Sequence, residues 1–331
     1  MSVEIFGHLP GGEAVHRLRL SGGGLSMHLL TFGAVVQDLR LAGHAAPLVL
    51  GFDRLEPYLT HQVYFGCTVG RYANRIAEGR CRIDGRDLTL ERNERGRTHL
   101  HGGSAGAARK IWRLEEHGTD MARLSLTLPD GEMGYPGNLR IAASFRLLPG
   151  GVLDILYEAE TDAPTLCNLA HHSYFALGDL LALRMRIDAE TYLPVDAWNI
   201  PTDGPAPVAG TPYDFRAGRE IGAGGPPRID HNFCLSQARV PIRPVAWLTA
   251  PSGLSLEVRT TEPGLQVYDA HGMDLPLAGL DGQSLGPYAG IALEPQVWPD
   301  SPNHPDFPQA LLRPGESYRQ HTQYAFTRGP T

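Results

Sequence analysis

Three short stretches near the start of the chain alternate apolar and polar side chains: Ala14-Val15-His16-Arg17-Leu18-Arg19-Leu20, Leu25-Ser26-Met27-His28-Leu29-Leu30-Thr31 and Ala34-Val35-Val36-Gln37-Asp38-Leu39-Arg40-Leu41. Glycines separate each stretch from the next. A period of two places alternate side chains on opposite faces of a strand, so each stretch predicts a strand with one buried face. The short glycine-rich breaks predict that these strands form hairpins or a meander.

Short apolar runs separated by turns continue along the rest of the chain. The 39 glycines and 27 prolines are spread over the whole length instead of being gathered in one linker. Asp84-Gly85 is the residue pair that a two-residue hairpin turn favours. Further strands are predicted at residues 139–147, 152–160, 254–258 and 264–271, with a closing strand in the tail. This pattern indicates an all-β fold of the sandwich type, and 331 residues are ample for one large domain or two smaller ones.

Composition excludes several classes of partner. The net charge of −7 and the lack of a basic run argue against nucleic acid or an anionic membrane. The chain has neither a signal-peptide pattern nor an apolar run long enough to span a bilayer, so we expect a soluble, cytoplasmic protein. Its four cysteines, Cys67, Cys81, Cys167 and Cys234, have no paired spacing and are interpreted as reduced, mostly buried thiols.

Glu294 is the first candidate catalytic residue. It follows the apolar run of residues 288–293, which predicts a short buried strand, and it precedes a proline-rich segment. A carboxylate at the end of a buried strand is partly desolvated, which raises its pKa and makes it a better base. The prolines predict an extended chain in which Trp298 and the polar residues after it form a fixed wall. An ordinary strand-end glutamate beside a surface loop is the alternative.

His172 is the second candidate. Asn168, Ser173 and Tyr174 lie close to it in sequence and offer hydrogen-bond partners that would fix its tautomer. A histidine with a pKa near neutrality suits proton transfer in both directions. His171 directly precedes it, so the sequence leaves open which ring faces a substrate. A buried structural histidine is the alternative.

Two more segments carry polar groups that suit ligand binding. Arg71, Asn74 and Arg75 lie among small residues, and their guanidinium and amide groups would hold hydroxyls or, alternatively, form structural salt bridges. His99 and His101 would share a face if their segment is extended, which raises the hypothesis of a metal site in a cupin-like barrel. No carboxylate follows them within a turn, so a metal-dependent isomerase is kept only as an alternative.

Taken together, several motifs occur in the order found in one known family. They are Gly70-Arg-Tyr-Ala-Asn-Arg-Ile76, Leu100-His-Gly-Gly103, Gly134-Tyr-Pro-Gly137, His172-Ser-Tyr-Phe175, Gly210-Thr-Pro-Tyr-Asp-Phe-Arg216, Asp230-His-Asn-Phe233 and Leu293-Glu-Pro-Gln296 with Pro299-Asp-Ser-Pro-Asn303. Over nearly its whole length the chain resembles the aldose 1-epimerase (galactose mutarotase) family. The resemblance implies one domain over residues 1–331, a large antiparallel β-sandwich with an open sugar-binding cleft. It also implies interconversion of the α and β anomers of free aldoses without a cofactor.

The resemblance also implies roles for individual residues. Glu294 matches the family's catalytic base and His172 its catalytic acid. His101 and Arg75 would lie beside the anomeric side of the sugar ring. The residues that would bind hydroxyls are Asn74, Asp230 and Gln266.

The chain departs from the family pattern at three places. His171 stands where asparagine is common, Pro295 stands where threonine is common, and Tyr268-Asp-Ala-His271 replaces a Tyr-Thr-Gly-Asn-like turn. These departures leave Glu294 and His172 in place. Because His171, Asp269 and His271 differ from the family pattern, they are expected to influence which sugar is accepted.

The sequence leaves two alternative functions open. A hexose-6-phosphate 1-epimerase would need a phosphate clamp of two or more basic side chains, for which Arg71 and Arg75 form the one close pair. A sugar-binding or regulatory protein would keep the same cleft without turnover. A small-molecule sugar is the expected partner in each case, and the sequence leaves open the preferred aldose and the choice between monomer and homodimer.

Overall fold

The computed structural model describes residues 2–61, 63–224 and 228–329. Most of the regular structure in these residues is strand. The strands are β1 Ser2–His8, β2 Ala14–Gly22, β3 Leu25–Leu30, β4 Val36–Leu41, β5 Thr68–Val69, β6 Arg75–Ile76, β7 Arg80–Ile83, β8 Arg86–Thr89, β9 His99–Leu100, β10 Arg113–His117, β11 Met121–Leu128, β12 Leu139–Leu148, β13 Val152–Thr161, β14 Thr165–Leu166, β15 Ala170–His171, β16 Tyr174–Phe175, β17 Arg184–Ile187, β18 Thr191–Tyr192, β19 Ala206–Pro207, β20 Arg219–Glu220, β21 Asp230–Cys234, β22 Arg243–Thr249, β23 Leu254–Thr260, β24 Gly264–Tyr268, β25 Ile291–Gln296, β26 Leu311–Leu312 and β27 Tyr318–Arg328.

Helices are short. The α-helix is α1 Glu56–Thr60, and the 3-10 helices are Ala77–Gly79, Ala107–Arg109, Glu132–Gly134, Leu180–Ala182, Leu280–Gly282 and Ser301–Asn303. No helix among the described residues is long and apolar enough to cross a membrane. All four cysteines are buried and free, as expected from their spacing.

The N-terminal stretches form the predicted meander. Strands β1 to β4 pair in sequence order as an antiparallel sheet. The apolar members of the alternation, Leu18, Leu20, Met27 and Leu29, enter the main core. Asp84-Gly85 also closes the predicted hairpin between β7 and β8, with both residues at positive φ.

A nine-stranded antiparallel sheet forms the largest layer. Its order is β10-β11-β12-β13-β27-β23-β22-β17-β20. The last of these strands in the sequence, β27, lies between β13 and β23 and pairs with both along most of its length. Side chains from the inner face of the nine-stranded sheet, such as Phe145 and Tyr324, share one core with Leu29 of the N-terminal sheet and Leu293 of a third sheet. The sheets therefore pack face to face, and the predicted all-β sandwich is confirmed.

The third sheet has six strands in the order β16-β25-β24-β21-β18-β19. In its register Glu294 lies opposite Gln266, and Tyr268 lies opposite Asp230. The intervening residues, including Leu293, turn to the other face and are buried in the core. Side-chain alternation therefore gives this sheet one apolar face and one polar face.

Two expectations about the segment around Glu294 are corrected. The strand runs over Ile291–Gln296, so Glu294 lies inside it and not at its end. Pro295 lies within this strand, opposite Leu265 of β24, and its carbonyl accepts a hydrogen bond from Gln320 Nε2 at 2.8 Å. Trp298 is buried and donates to the Pro263 carbonyl at 2.9 Å, so it packs in the interior and does not form a wall of the cleft.

Arg71 fastens the loop between β11 and β12 to the interior. The side chain is 1% exposed. Its guanidinium donates hydrogen bonds of 2.8–3.2 Å to the carbonyls of Leu128, Pro129, Pro136 and Gly137, and one of 3.0 Å to Thr165 Oγ1. A planar fork suits this set of acceptors better than the single ammonium group of lysine.

Replacing Arg71 by lysine is expected to destabilise the protein by about 2–4 kcal/mol, because several buried carbonyls lose their donor. Urea unfolding at neutral pH would measure the change as a lower midpoint with an unchanged slope. Arg113→Lys is a matched control, since the Arg113 side chain is 81% exposed and a surface substitution changes little. Equal stability of Arg71→Lys and the native protein would contradict the structural role of Arg71.

Candidate active site

The polar face of the six-stranded sheet forms the floor of an open cleft of about 450 Å³, a volume within the range of small-molecule sites. The predicted residues that line it are Asn74, Arg75, His101, His172, Asp230, Gln266, His271 and Glu294. Gln266 and Tyr268 both face the cleft from β24, as their alternate spacing predicts.

Glu294 and His172 form a buried acid–base pair at the cleft floor. His172 Nε2 lies 3.5 Å from Glu294 Oε1, and neither side chain is more than 5% exposed. Burial lowers the pKa of His172 to about 4. Burial, reinforced by the nearby Asp230 carboxylate, raises the pKa of Glu294 well above its ordinary value. Burial therefore opposes the charged form of each group.

His101 presents a hydrogen-bond donor beside this pair. Its Nδ1 accepts a hydrogen bond from the backbone N–H of Asn74 at 3.2 Å, so in the neutral ring the proton is on Nε2. Burial, together with neighbouring His172 and Arg75, lowers the pKa of His101 well below its usual range. The ring centroids of His101 and His172 are 5.1 Å apart. Tyr64 packs against both rings at 4.6 and 5.7 Å.

Arg75 is held between two carboxylates. Its Nε and Nη2 donate to the two oxygens of Glu94 at 2.8 and 2.9 Å. Its Nη1 lies 3.7 Å from Asp230 Oδ2. Thr98 Oγ1 donates to Glu94 Oε2 at 2.5 Å and fixes that carboxylate from the other side. A bidentate pair of this kind holds the guanidinium in one plane and one direction.

Asp230 is the centre of a second polar group. Gln266 Nε2 donates to its Oδ1 at 2.6 Å, and Asn199 Nδ2 donates to its Oδ2 at 2.8 Å. Burial raises the pKa of Asp230, while Arg75 opposes that increase. Carboxylate and amide groups fixed in this way suit the recognition of neighbouring hydroxyls.

The structure does not bring Arg71 or His171 to the cleft, which corrects two expectations. The Arg71 guanidinium is used entirely by the loop contacts described above, so it forms no phosphate clamp with Arg75. His171 Nε2 lies 2.7 Å from Ser173 Oγ, and its ring packs between Phe145 and Tyr324. Successive residues of an extended chain point to opposite sides, so only His172 of the pair faces the cleft.

His99 and Asp269 also lie behind the cleft surface. His99 is hydrogen-bonded through Nδ1 to the Glu91 carbonyl at 2.6 Å and through Nε2 to the Tyr135 hydroxyl at 2.7 Å. It does not share a site with His101, because the extended segment ends at Leu100 and His101 has a φ of 53°. Asp269 is completely buried and contacts His271 from behind.

Several residues that line the cleft are not indicated as site candidates by the sequence. They are Tyr64, Glu94, Arg95, Asn199 and Met273. Each comes from a loop or a strand-free segment with no periodicity. Glu94 carried one weak signal, since a carboxylate is the usual partner of a buried arginine, but its pairing with Arg75 depends on folding.

One group of three residues has the composition of a metal site. His101, His172 and Glu294 each offer a ligand atom, and these atoms lie within 4.8 Å of one another. Two imidazoles and a carboxylate suit a divalent transition metal. A metal ion would therefore be held by His101, His172 and Glu294, and not by His99 with His101. The effect of a chelator on activity tests this alternative.

Comparison with known proteins gives consistent results. Residues 16–325 match the family model described as aldose 1-epimerase. The chain is 40% identical to a galactose mutarotase of Rattus norvegicus over 98% of this chain and 97% of the relative. It is 36% identical to an aldose 1-epimerase of Escherichia coli K12 over 96% of both chains. Its structure matches a galactose 1-epimerase from Lactobacillus acidophilus with a TM-score of 0.85 and 29% identity over 99% of both chains.

The buried His171 gives a stability prediction. Burial, with His172 nearby, lowers the pKa of His171 from 6.5 to about 3, so the unfolded chain binds a proton below pH 6.5 before the folded protein does. Stability contributed by His171 is therefore present above pH 6.5 and is lost as the pH falls toward 3, at up to about 1.4 kcal/mol per pH unit. The stability advantage of the native protein over His171→Asn should shrink across this range in chemical denaturation.

Above pH 7 the same difference in unfolding free energy should stay constant, which serves as the internal control. A difference that is independent of pH from 7 down to 4 would show that His171 is not held neutral by burial.

Proposed function

The chain belongs to the aldose 1-epimerase family and is an isomerase of aldose anomers, and from this premise we propose that Glu294 and His172 carry its two proton transfers. The observation that supports these roles is the buried pair itself, an imidazole and a carboxylate 3.5 Å apart on the cleft floor. Such a pair provides an acid and a base within reach of one small ring.

The chemistry of anomer exchange requires both groups. Ring opening removes a proton from the C1 hydroxyl, delivers a proton to the ring oxygen and breaks the bond between C1 and that oxygen. Coupling the two transfers avoids a free alkoxide or an oxocarbenium ion. The aldehyde then rotates about the C1–C2 bond, and closure on its other face returns both protons. Glu294 takes the C1 hydroxyl proton and His172 supplies the proton to the ring oxygen, with the roles reversed on closure.

The surroundings of the pair make this assignment workable. Burial favours the neutral form of both groups and so acts to keep a proton on Glu294 and off His172. Moving that proton to His172 leaves the total charge of the pair unchanged. Ionised Glu294 is stabilised by the neighbouring Arg75, which acts to lower its pKa.

Surrounding groups would stabilise and orient the sugar. His101 Nε2–H and Arg75 are fixed donors near the reacting pair, where they would interact with the oxygens that gain charge. Asp230, Gln266 and Asn74 would bind ring hydroxyls. Tyr64 and Tyr174 provide aromatic surface beside His172 for the apolar face of a pyranose.

Charge in the cleft favours a free aldose over a hexose 6-phosphate. The acidic lining residues are Glu94, Asp230, Asp274 and Glu294, and the basic lining residues are Arg75 and Arg95. Arg75 is already paired with Glu94 and Asp230. A phosphate dianion would enter a cleft with more carboxylates than guanidinium groups.

Catalysis by the pair is tested by polarimetry on freshly dissolved α-D-galactose and α-D-glucose. Glu294→Gln and His172→Asn should each reduce the acceleration at least about 100-fold, because each removes one proton-transfer group. Acceleration by the native protein should persist after treatment with a strong chelator.

Two matched variants control for the substitutions. Glu257→Gln makes the same change on the nine-stranded sheet, outside the cleft, where Glu257 accepts from Trp247 Nε1 at 2.9 Å. This variant should keep native activity. His171→Asn changes the adjacent, non-lining histidine and should also remain active. Loss of activity in the chelated native protein would favour a metal at His101, His172 and Glu294. Sugar binding without acceleration of any aldose would favour the non-catalytic binding protein.

Substrate charge gives a further prediction. The kcat/KM for D-galactose 6-phosphate should be at least about tenfold below that for D-galactose, and the ratio should move toward unity as salt screens the cleft. 6-Deoxy-D-galactose separates loss of the hydroxyl from addition of charge. A phosphosugar that reacts faster than the free sugar would reverse the choice between these substrates.

A further inference from the structure

His271 and Asp269 form a fixed pair at the cleft that the acid–base chemistry does not use. His271 Nδ1 lies 2.6 Å from Asp269 Oδ1, and the His271 backbone N–H donates to the same oxygen at 3.1 Å. Asp269 Oδ2 accepts from the backbone N–H of Ile229 at 2.9 Å. Asp269 is fully buried, so these contacts replace the hydration of its carboxylate.

This arrangement fixes the tautomer of His271. A carboxylate that already receives two backbone N–H groups is an acceptor, so Nδ1 of His271 carries the proton and donates it. In the neutral ring, the opposite nitrogen, Nε2, then bears a lone pair. The side chain is 26% exposed and lines the cleft, which leaves that acceptor on the substrate side.

Neighbouring rings locate His271 away from the reacting pair. The His271 ring lies 5.4 Å from Tyr268, and Tyr268 lies 6.0 Å from Tyr174. Tyr174 in turn lies 5.2 Å from His172. Two tyrosines therefore separate His271 from the proton-transfer site along the cleft wall. A sugar with C1 at Glu294 and His172 would present its hydroxyls remote from C1 to His271.

An acceptor is valuable at this end of the cleft. Asp230, a carboxylate on the cleft floor, already accepts from Gln266 and Asn199. The tight turn that carries His271 is also well fixed, since Ala270 is buried at a φ of 54° and Met273 N–H donates to its carbonyl at 3.0 Å. Preorganised groups lose little freedom when they bind.

We propose that His271 is a specificity-determining residue whose Nε2 accepts a hydrogen bond from one sugar hydroxyl remote from C1, and that Asp269 is a positioning residue that acts through it. This inference rests on the proposed sugar-binding mode of the cleft. It names a contact that discriminates between hydroxyl configurations, because a fixed acceptor rewards one orientation of the hydroxyl and not its epimer.

The test combines a protein variant with sugars that lack one hydroxyl. Mutarotation of α-D-galactose and of its 2-, 3-, 4- and 6-deoxy derivatives is measured with the native protein and with His271→Ala. The variant should raise KM for galactose roughly three- to tenfold, the size of one neutral hydrogen bond, while kcat stays near native. The KM ratio should return to one for a single sugar among the 3-, 4- and 6-deoxy derivatives and persist with 2-deoxygalactose.

A matched control exists on the nine-stranded sheet. His321 Nε2 lies 2.5 Å from Asp154, and its side chain is 27% exposed, so His321→Ala removes a similar histidine–carboxylate pair outside the cleft. It should leave every KM unchanged. An unchanged KM for galactose in His271→Ala, or the same KM ratio with every deoxy sugar, would overturn the assignment.

Asp269→Asn tests positioning. It should raise KM in the native background and have no further effect in His271→Ala, whereas a purely structural loss would appear in both backgrounds and with all sugars. If the native protein accelerates no aldose, the proposed function fails. If the native protein is active and His271→Ala behaves like it, only the role of His271 fails.

Discussion

Side-chain alternation in the six-stranded sheet is the constraint on which the site depends. Glu294 and Gln266 face the cleft because Leu293 and Leu265 face the core. A shift of one residue in the pairing of β25 with β24 would exchange the two sets, placing a carboxylate in the core and leucines in the cleft. The apolar face thus holds the cleft face in register, and the packing of the sandwich and the geometry of the cleft both result from this alternation.

Burial then sets the chemistry of the groups that this register brings together. The same desolvation that raises the pKa of Glu294 lowers that of His172. The positive charge of Arg75 opposes the increase in the pKa of Glu294. Arg75 is held in place by Glu94 and faces Asp230. The Arg75 guanidinium thus pairs with two of the acidic groups that lie close together in the cleft, Glu94 and Asp230.

The sequence predicted the elements whose evidence is local. Alternation located the N-terminal meander, and spacing placed Gln266 and Tyr268 on one face. The apolar run before Glu294 predicts a strand that ends there, whereas the strand continues through Pro295 to Gln296. The prolines predict a cleft wall that includes Trp298, whereas its indole donates to the Pro263 carbonyl, a partner distant in sequence that no local pattern indicates. Glu94, Asn199 and Tyr64 reach the cleft through long-range folding that no short motif records, and the roles of Glu294 and His172 came from family resemblance.

The central position of β27 has a consequence for the synthesis of the protein. Its partners β13 and β23 precede it in the chain, and β27 fills the gap between them. While the ribosome is still making residues before Tyr318, both partners present unpaired strand edges, and the nine-stranded sheet exists as two incomplete parts. The nine-stranded sheet can therefore be completed only after residues up to Arg328 have been made.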